Sequence, residues 1–171
     1  MERKNIVTMK GNPLTLVGPS IKVGDRAPVF TVLSKELKEV SLRDFHGKVK
    51  ILSVTPSLDT SVCDMQARRF NQEASQLGED IVVLNISMDL PFAISRFCTV
   101  AGIDKVTALS DHRDATFGAS YGVLIKELRL LARAIFVLDK KDIVSYQEIV
   151  PELTNPPDFT CPLALARRLV G

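Results

Sequence analysis

The sequence predicts an α/β domain with a central mixed sheet flanked by helices and an N-terminal β-hairpin. Two near-continuous apolar runs, 49–55 and 81–87, have the pattern of strands buried on both faces of a sheet. Each gives way to an amphipathic helix, which makes a parallel β-α-β unit. A later pair of strand-like runs, 133–138 and 143–149, is joined by Asp139-Lys140-Lys141-Asp142 and reads as an antiparallel hairpin, with a last helix from about Pro162 to Val170.

Taken in order, the stretch Ile6 to Val17 is interrupted by Gly11-Asn12-Pro13 and reads as a β-hairpin turning at Gly11-Asn12. After the first buried strand, Phe70, Ala74 and Leu77 recur at helical spacing. After the second, Pro91 opens a helix holding Phe92, Ser95, Phe97 and Cys98, and Gly102 ends it. Thr107 to Ser110 is a short strand, and Asp114 is expected to cap a helical turn reaching Tyr121-Gly122. No repeat, low-complexity tract or long linker divides the chain, so residues 1–171 are expected to form one domain.

Composition narrows the function classes. With 171 residues, 46% of them hydrophobic, the chain can bury one sizeable core. The net charge of +2 comes from interspersed acids and bases rather than a basic stripe, which argues against a nucleic-acid surface. No stretch approaches the ~20 apolar residues that span a bilayer, and the first residues lack the apolar core of a leader, so a cytoplasmic protein is expected. Three cysteines agree with that compartment, where thiols stay reduced. His46 and His112 make no short-spaced ligand set with any cysteine, so no metal site is expected.

The chemistry concentrates in Pro56-Ser57-Leu58-Asp59-Thr60-Ser61-Val62-Cys63. This run lies where the first buried strand passes into its helix, which puts Cys63 in the helix's first turn. Unpaired backbone N–H groups and the positive end of the helix dipole favour the thiolate there, and the thiolate is the nucleophile. Pro56 ends the strand and fixes the loop's entry angle, and Thr60 can aim a hydroxyl back at the site as donor and acceptor. Buried cysteines are more often packing groups, but the strand-to-helix junction with Pro and Thr at fixed offsets points to reactivity.

Pro-x-x-x-Thr-x-x-Cys resembles the active-site signature of the peroxiredoxins, which reduce hydroperoxides with a cysteine and without metal or haem. Val40 to Lys48, Arg68-Arg69-Phe70-Asn71, Arg96-Phe97-Cys98 and Leu131 to Asp139 are similar to the bacterial thiol peroxidase branch, so the resemblance spans nearly the whole chain. It implies a thioredoxin-like fold opening with a hairpin, thioredoxin as reductant and a homodimer. One departure is Ser61, where many members carry proline; serine is a good helix cap, so the helix is expected to start normally.

Two further residues acquire roles only through the resemblance. Arg133 interrupts an apolar run, and the residues alone favour an edge-strand arginine reaching outward to water. The resemblance implies instead that its guanidinium lies against the reactive sulfur, where it would orient the peroxide and stabilise the leaving oxyanion. Cys98, on its own, reads as core packing beside Phe97. The resemblance implies the resolving thiol, which condenses with the sulfenic acid of Cys63 before over-oxidation. A disulfide needs Cα atoms within about 7 Å, and cysteines on separate helices do not generally meet that, so resolution implies local unfolding. Cys161 matches no position of the family and is expected to be a spectator. Two rivals remain: a thiol-disulfide exchange protein, disfavoured because Thr60 stands where Cys-x-x-Cys chemistry needs a cysteine, and a redox sensor signalling through the same thiol.

Overall fold

The computed structural model describes residues 1–171. The N-terminal hairpin pairs β1 (Glu2–Met9) with β2 (Asn12–Val17), and the two-residue β8 (Leu124–Ile125) extends it to a three-stranded sheet. The turn is Lys10-Gly11 rather than Gly11-Asn12. Both turn residues have positive φ, 51° and 78°, as a two-residue hairpin loop requires, and Asn12 is already paired with Met9. β1 also starts four residues before Ile6, because an edge strand with a solvent-facing side accepts the polar residues Glu2, Lys4 and Asn5, which carry no apolar signal.

The main sheet comprises β3 (Thr31–Ser34), β4 (Glu39–Ser41), β5 (Val49–Val54), β6 (Ile81–Ser87), β7 (Thr107–Ser110), β9 (Ala134–Leu138) and β10 (Val144–Ile149). Its order is β10-β9-β5-β6-β7-β3-β4. β5, β6 and β7 run parallel, and β9 lies antiparallel against the other side of β5. This is the expected mixed sheet. The hairpin β3–β4 is absent from the sequence reading, since strands of four and three residues are too short for an alternating pattern to emerge.

Four helices complete the fold: α1 (Ser61–Ala74), α2 (Pro91–Ala101), α3 (Thr116–Ser120) and α4 (Thr160–Val170). As expected, α2 begins on Pro91 and stops at Gly102 in the left-handed conformation. α3 departs from expectation. Asp114 does not cap it; Ala115 holds the cap position, and the Asp111 carboxylate accepts the N–H groups of Phe117 (3.1 Å) and Gly118 (2.8 Å). Asp114 bonds Arg113 instead.

Alternate residues of β5 enter two cores. Leu52 and Val54 pack with Leu84, Ile86, Phe30, Phe117 and Tyr121 beneath α3 and the N-terminal hairpin. Val49 and Ile51 pack on the opposite face with Phe70, Ile94, Cys98 and Leu163, contributed by α1, α2 and α4. Burying each such side chain is worth about 1.5–3 kcal/mol over leaving it in water, so β5 is held rigidly from both sides. Lys50, the one charge in this strand, is fully buried and ion-paired with Asp142 in the β9–β10 turn. In register, Val54 faces Ile86 on one side and Ala134 on the other. The loop after β5, the lead-in to α2 and Arg133 before β9 therefore meet at one end of the sheet.

Candidate active site

Cys63 is the third residue of α1 and is completely shielded from solvent. Thr60, not Ser61, holds the cap position; its backbone is extended (φ −121°, ψ 149°), and Ser61 is already helical. The helix start survives without a serine cap. Thr60 Oγ donates to the carbonyl of Ser57 at 3.0 Å, so its hydrogen closes the loop on itself while its oxygen lone pairs remain available as acceptors. Pro56 is buried at the loop's entrance.

Arg133 does not reach outward. It is 2% exposed, and its Nη1 lies 3.4 Å from the sulfur of Cys63 and donates to Gln66 Oε1 at 2.9 Å. Its Nε and Nη2 both donate to the carbonyl of Leu153, at 3.1 and 2.8 Å. None of these partners is a carboxylate. A buried guanidinium needs a compensating anion, and of the groups it touches only the Cys63 sulfur can carry a negative charge. The outward-facing arginine favoured by the residues alone thus gives way to a charge held against the Cys63 sulfur.

Gln66 is the residue the sequence reading missed. It is fully buried one turn beyond Cys63, and its Nε2 donates to Ser53 Oγ at 2.8 Å while its Oε1 receives Arg133. The signal was present: Cys63, Gln66, Ala67 and Phe70 follow the i, i+3, i+4, i+7 spacing of a buried helix stripe, and a glutamine on such a stripe needs polar partners. Leu153, which acts through its backbone, carries no comparable signal. Its segment is fixed by the N-terminal hairpin: Leu153 N–H donates to the Thr8 carbonyl (2.9 Å), and Thr8 N–H to that of Pro151 (2.7 Å). The Glu152 carboxylate accepts from Thr8 Oγ (2.7 Å) and from the backbone of Gly11 and Lys10, bonds that pull it down to about 2.

The other cysteines lie apart from this cluster. Cys98 sits on α2, on the same face of the sheet as α1, and is 6% exposed. Burial pushes its thiol up, with the charge of Lys35 opposing. Cys161, on α4, is exposed; its hydrogen bond with the Asp158 carboxylate raises it too. All three cysteines are unpaired.

Fold and site together define a thioredoxin-like redox domain built on one buried, arginine-paired cysteine. The Redoxin family profile matches residues 22–160. Thiol peroxidase from Bacillus subtilis is 58% identical over 164 residues, covering 96% of this chain and 98% of that protein. Thiol peroxidase from Staphylococcus aureus is 55% identical over 163 residues, covering 95% and 98%. Among solved structures, a peroxiredoxin-like protein from Aquifex aeolicus superposes with a TM-score of 0.90 at 42% identity over 98% of this chain and 97% of that one. Thiol peroxidase from Chromobacterium violaceum, at 22% identity and a TM-score of 0.83 over 95% of each chain, shares the fold. The chain belongs to the redoxin family, in its bacterial thiol peroxidase branch.

Proposed function

We propose that residues 1–171 act as one peroxidase domain in which Cys63 reduces hydrogen peroxide and organic hydroperoxides. The thiolate attacks the terminal peroxide oxygen; an S–O bond forms, the O–O bond breaks, and the departing oxygen leaves as water or alcohol after taking a proton. Cys63 becomes a sulfenic acid and the peroxide is reduced by two electrons. The buried pairing of Arg133 with Cys63 carries this reading, because a guanidinium beside the sulfur can stabilise the charge that develops on the departing oxygen. Thr60 supplies an acceptor that orients the peroxide, and Pro56 helps exclude water. Cys98 then condenses with the sulfenic acid, forming an S–S bond and releasing water, and a dithiol of the thioredoxin class restores both thiols by exchange.

No helix of the structure is long and apolar enough to cross a membrane. We place the protein in the cytoplasm, which keeps its three free thiols reduced. We also expect a homodimer; the outer face of α2, with Phe92 70% and Val100 80% exposed, supplies apolar surface for it.

The test is multiple turnover with hydrogen peroxide and a bulkier alkyl hydroperoxide side by side, thioredoxin and its reductase supplying electrons. Many equivalents of peroxide consumed per protein, and none by Cys63→Ser, are expected. Consumption limited to one equivalent would make the protein a sensor rather than an enzyme.

A further inference from the structure

We propose that Asp89 is a positioning residue: its carboxylate clasps the Cys63 loop to the end of β6, just ahead of α2, and sets how readily the site opens for disulfide formation. This rests on the reading that Cys98 resolves Cys63.

The carboxylate joins the Cys63 loop to the end of β6. Its Oδ1 accepts from Ser57 Oγ at 2.7 Å, and its Oδ2 accepts from the backbone N–H of Leu58 and from Ser87 Oγ, both at 2.8 Å. The Asp89 backbone is pinned as well, since its carbonyl accepts from Ser110 Oγ at 2.5 Å. Asp89 thus stands fixed at the end of β6, two residues before α2, and grips the loop that leads into Cys63. Charge-assisted bonds of this kind are the strong ones, and here one residue makes three.

A cavity of about 430 Å³ separates residues 57–59 from Ala93, Phe97 and Val100 on α2, and Asp89 lines it. α1 is tied to the far end of α2, beyond both cysteines: Arg68 Nη1 donates to the Ala101 carbonyl at 3.3 Å, and Asn71 Oδ1 accepts the N–H groups of Asp104, Lys105 and Val106, which follow α2. That tie can stay closed while residues 57–63 and the first turns of α2 unwind toward each other. The Asp89 clasp cannot, because it ties the moving loop to the fixed end of β6. Cys63 and Cys98 are both buried on separate helices, so the clasp holds the closed, peroxide-reactive site, and its release precedes the S–S bond.

The experiment compares wild type, Asp89→Ala, Asp89→Asn and Ser57→Ala. Each reduced protein is mixed with one equivalent of hydrogen peroxide and quenched at intervals for intact-mass spectrometry, which separates sulfenic acid, disulfide and sulfinic acid at Cys63. In Asp89→Ala, conversion of sulfenic acid to disulfide should speed up by at least about tenfold, the scale of losing one charged hydrogen bond. The peroxide concentration that gives half-maximal sulfinic acid should rise in proportion, while the first oxidation of Cys63 becomes no faster. Asp89→Asn, which keeps the shape and one acceptor oxygen, should fall between. A residue that merely stabilised the fold would slow oxidation without shifting the competition between disulfide and sulfinic acid. Should Asp89→Ala fail to fold, Ser57→Ala removes a single donor and must shift the same competition in the same direction. An unchanged or slower resolution in the folded variants overturns the clasp. If wild type itself forms no Cys63–Cys98 disulfide, the failure lies with the resolving role of Cys98 instead.

Discussion

Replacing Arg133 by glutamine tests the site most directly, because the structure sets out what is lost. The guanidinium makes four contacts at once: two N–H groups on the Leu153 carbonyl, one on Gln66 and one on the Cys63 sulfur. Glutamine carries no charge and is too short to serve three partners in different directions. On the kinetic side, loss of one donor aimed at a developing oxyanion costs about 10²–10³ in rate, or about 2.7–4 kcal/mol. On the stability side, hydrogen bonds from a charged donor are worth about 1.5–3 kcal/mol each, offset in part because a buried positive charge is removed along with them. The rate should therefore collapse while the fold persists. The assay is the second-order constant for Cys63 oxidation, read by quenched-flow mass spectrometry, with thermal unfolding as the control. Arg133→Lys sharpens it: charge is kept, but a single ammonium replaces the planar fork, so the loss should be smaller than for glutamine yet still clear. A folded Arg133→Gln protein whose oxidation slows by less than about tenfold would refute the argument that the sulfur needs this cation.

Two other outcomes follow from the same geometry. One equivalent of peroxide should give an intramolecular Cys63–Cys98 disulfide by peptide mapping without reduction, with Cys161 free; Cys98→Ser should accumulate sulfinic acid and lose thioredoxin-dependent turnover, Cys161→Ser should match wild type, and a Cys63–Cys161 bridge would reverse the assignment. For pH, burial raises the Asp111 carboxyl from 3.8 to about 6, so the folded protein keeps a proton that the unfolded chain releases. Its contribution to stability therefore falls by about 3 kcal/mol as pH rises through that window. The Tm difference between about pH 4 and pH 7 should change accordingly in Asp111→Asn, and an identical pH profile for the variant would show that Asp111 does not set it.

What could be read from the chain was whatever a local pattern encodes. β6 and β7 fall on their expected residues because continuous apolar runs between turn residues leave little choice, and α2 does so because Pro91 and Gly102 mark both ends. Cys63 was legible for the same reason, as strand, loop and helix follow one another in sequence. Misreadings came where a backbone group was satisfied from a distance. Asp111, not the adjacent Asp114, supplies the acceptor at the start of α3, and Thr60 spends its hydroxyl hydrogen on Ser57 while holding the cap position expected of Ser61. Arg133 shows the limit most plainly. Its surrounding sequence is that of a strand edge, and only the pairing of Ala134 with Val54 brings it level with the Cys63 loop.

That pairing places Arg133 near the sulfur, but it does not orient the guanidinium; Leu153 and Gln66 do. The Leu153 carbonyl is available because residues 151–153 are stitched to the N-terminal hairpin through Thr8 and Glu152. The hairpin lies more than a hundred residues away from Arg133 in sequence, yet it fixes the acceptor that takes two of the arginine's donors. Glu152 grips the Lys10-Gly11 turn through its backbone N–H groups, so the left-handed conformation of those residues, which points both groups at one carboxylate, is part of the support for the Arg133–Cys63 pair. A buried cation without a carboxylate partner depends for its orientation on fixed dipoles such as these. In this fold the N-terminal hairpin therefore belongs to the apparatus that keeps Arg133 on Cys63.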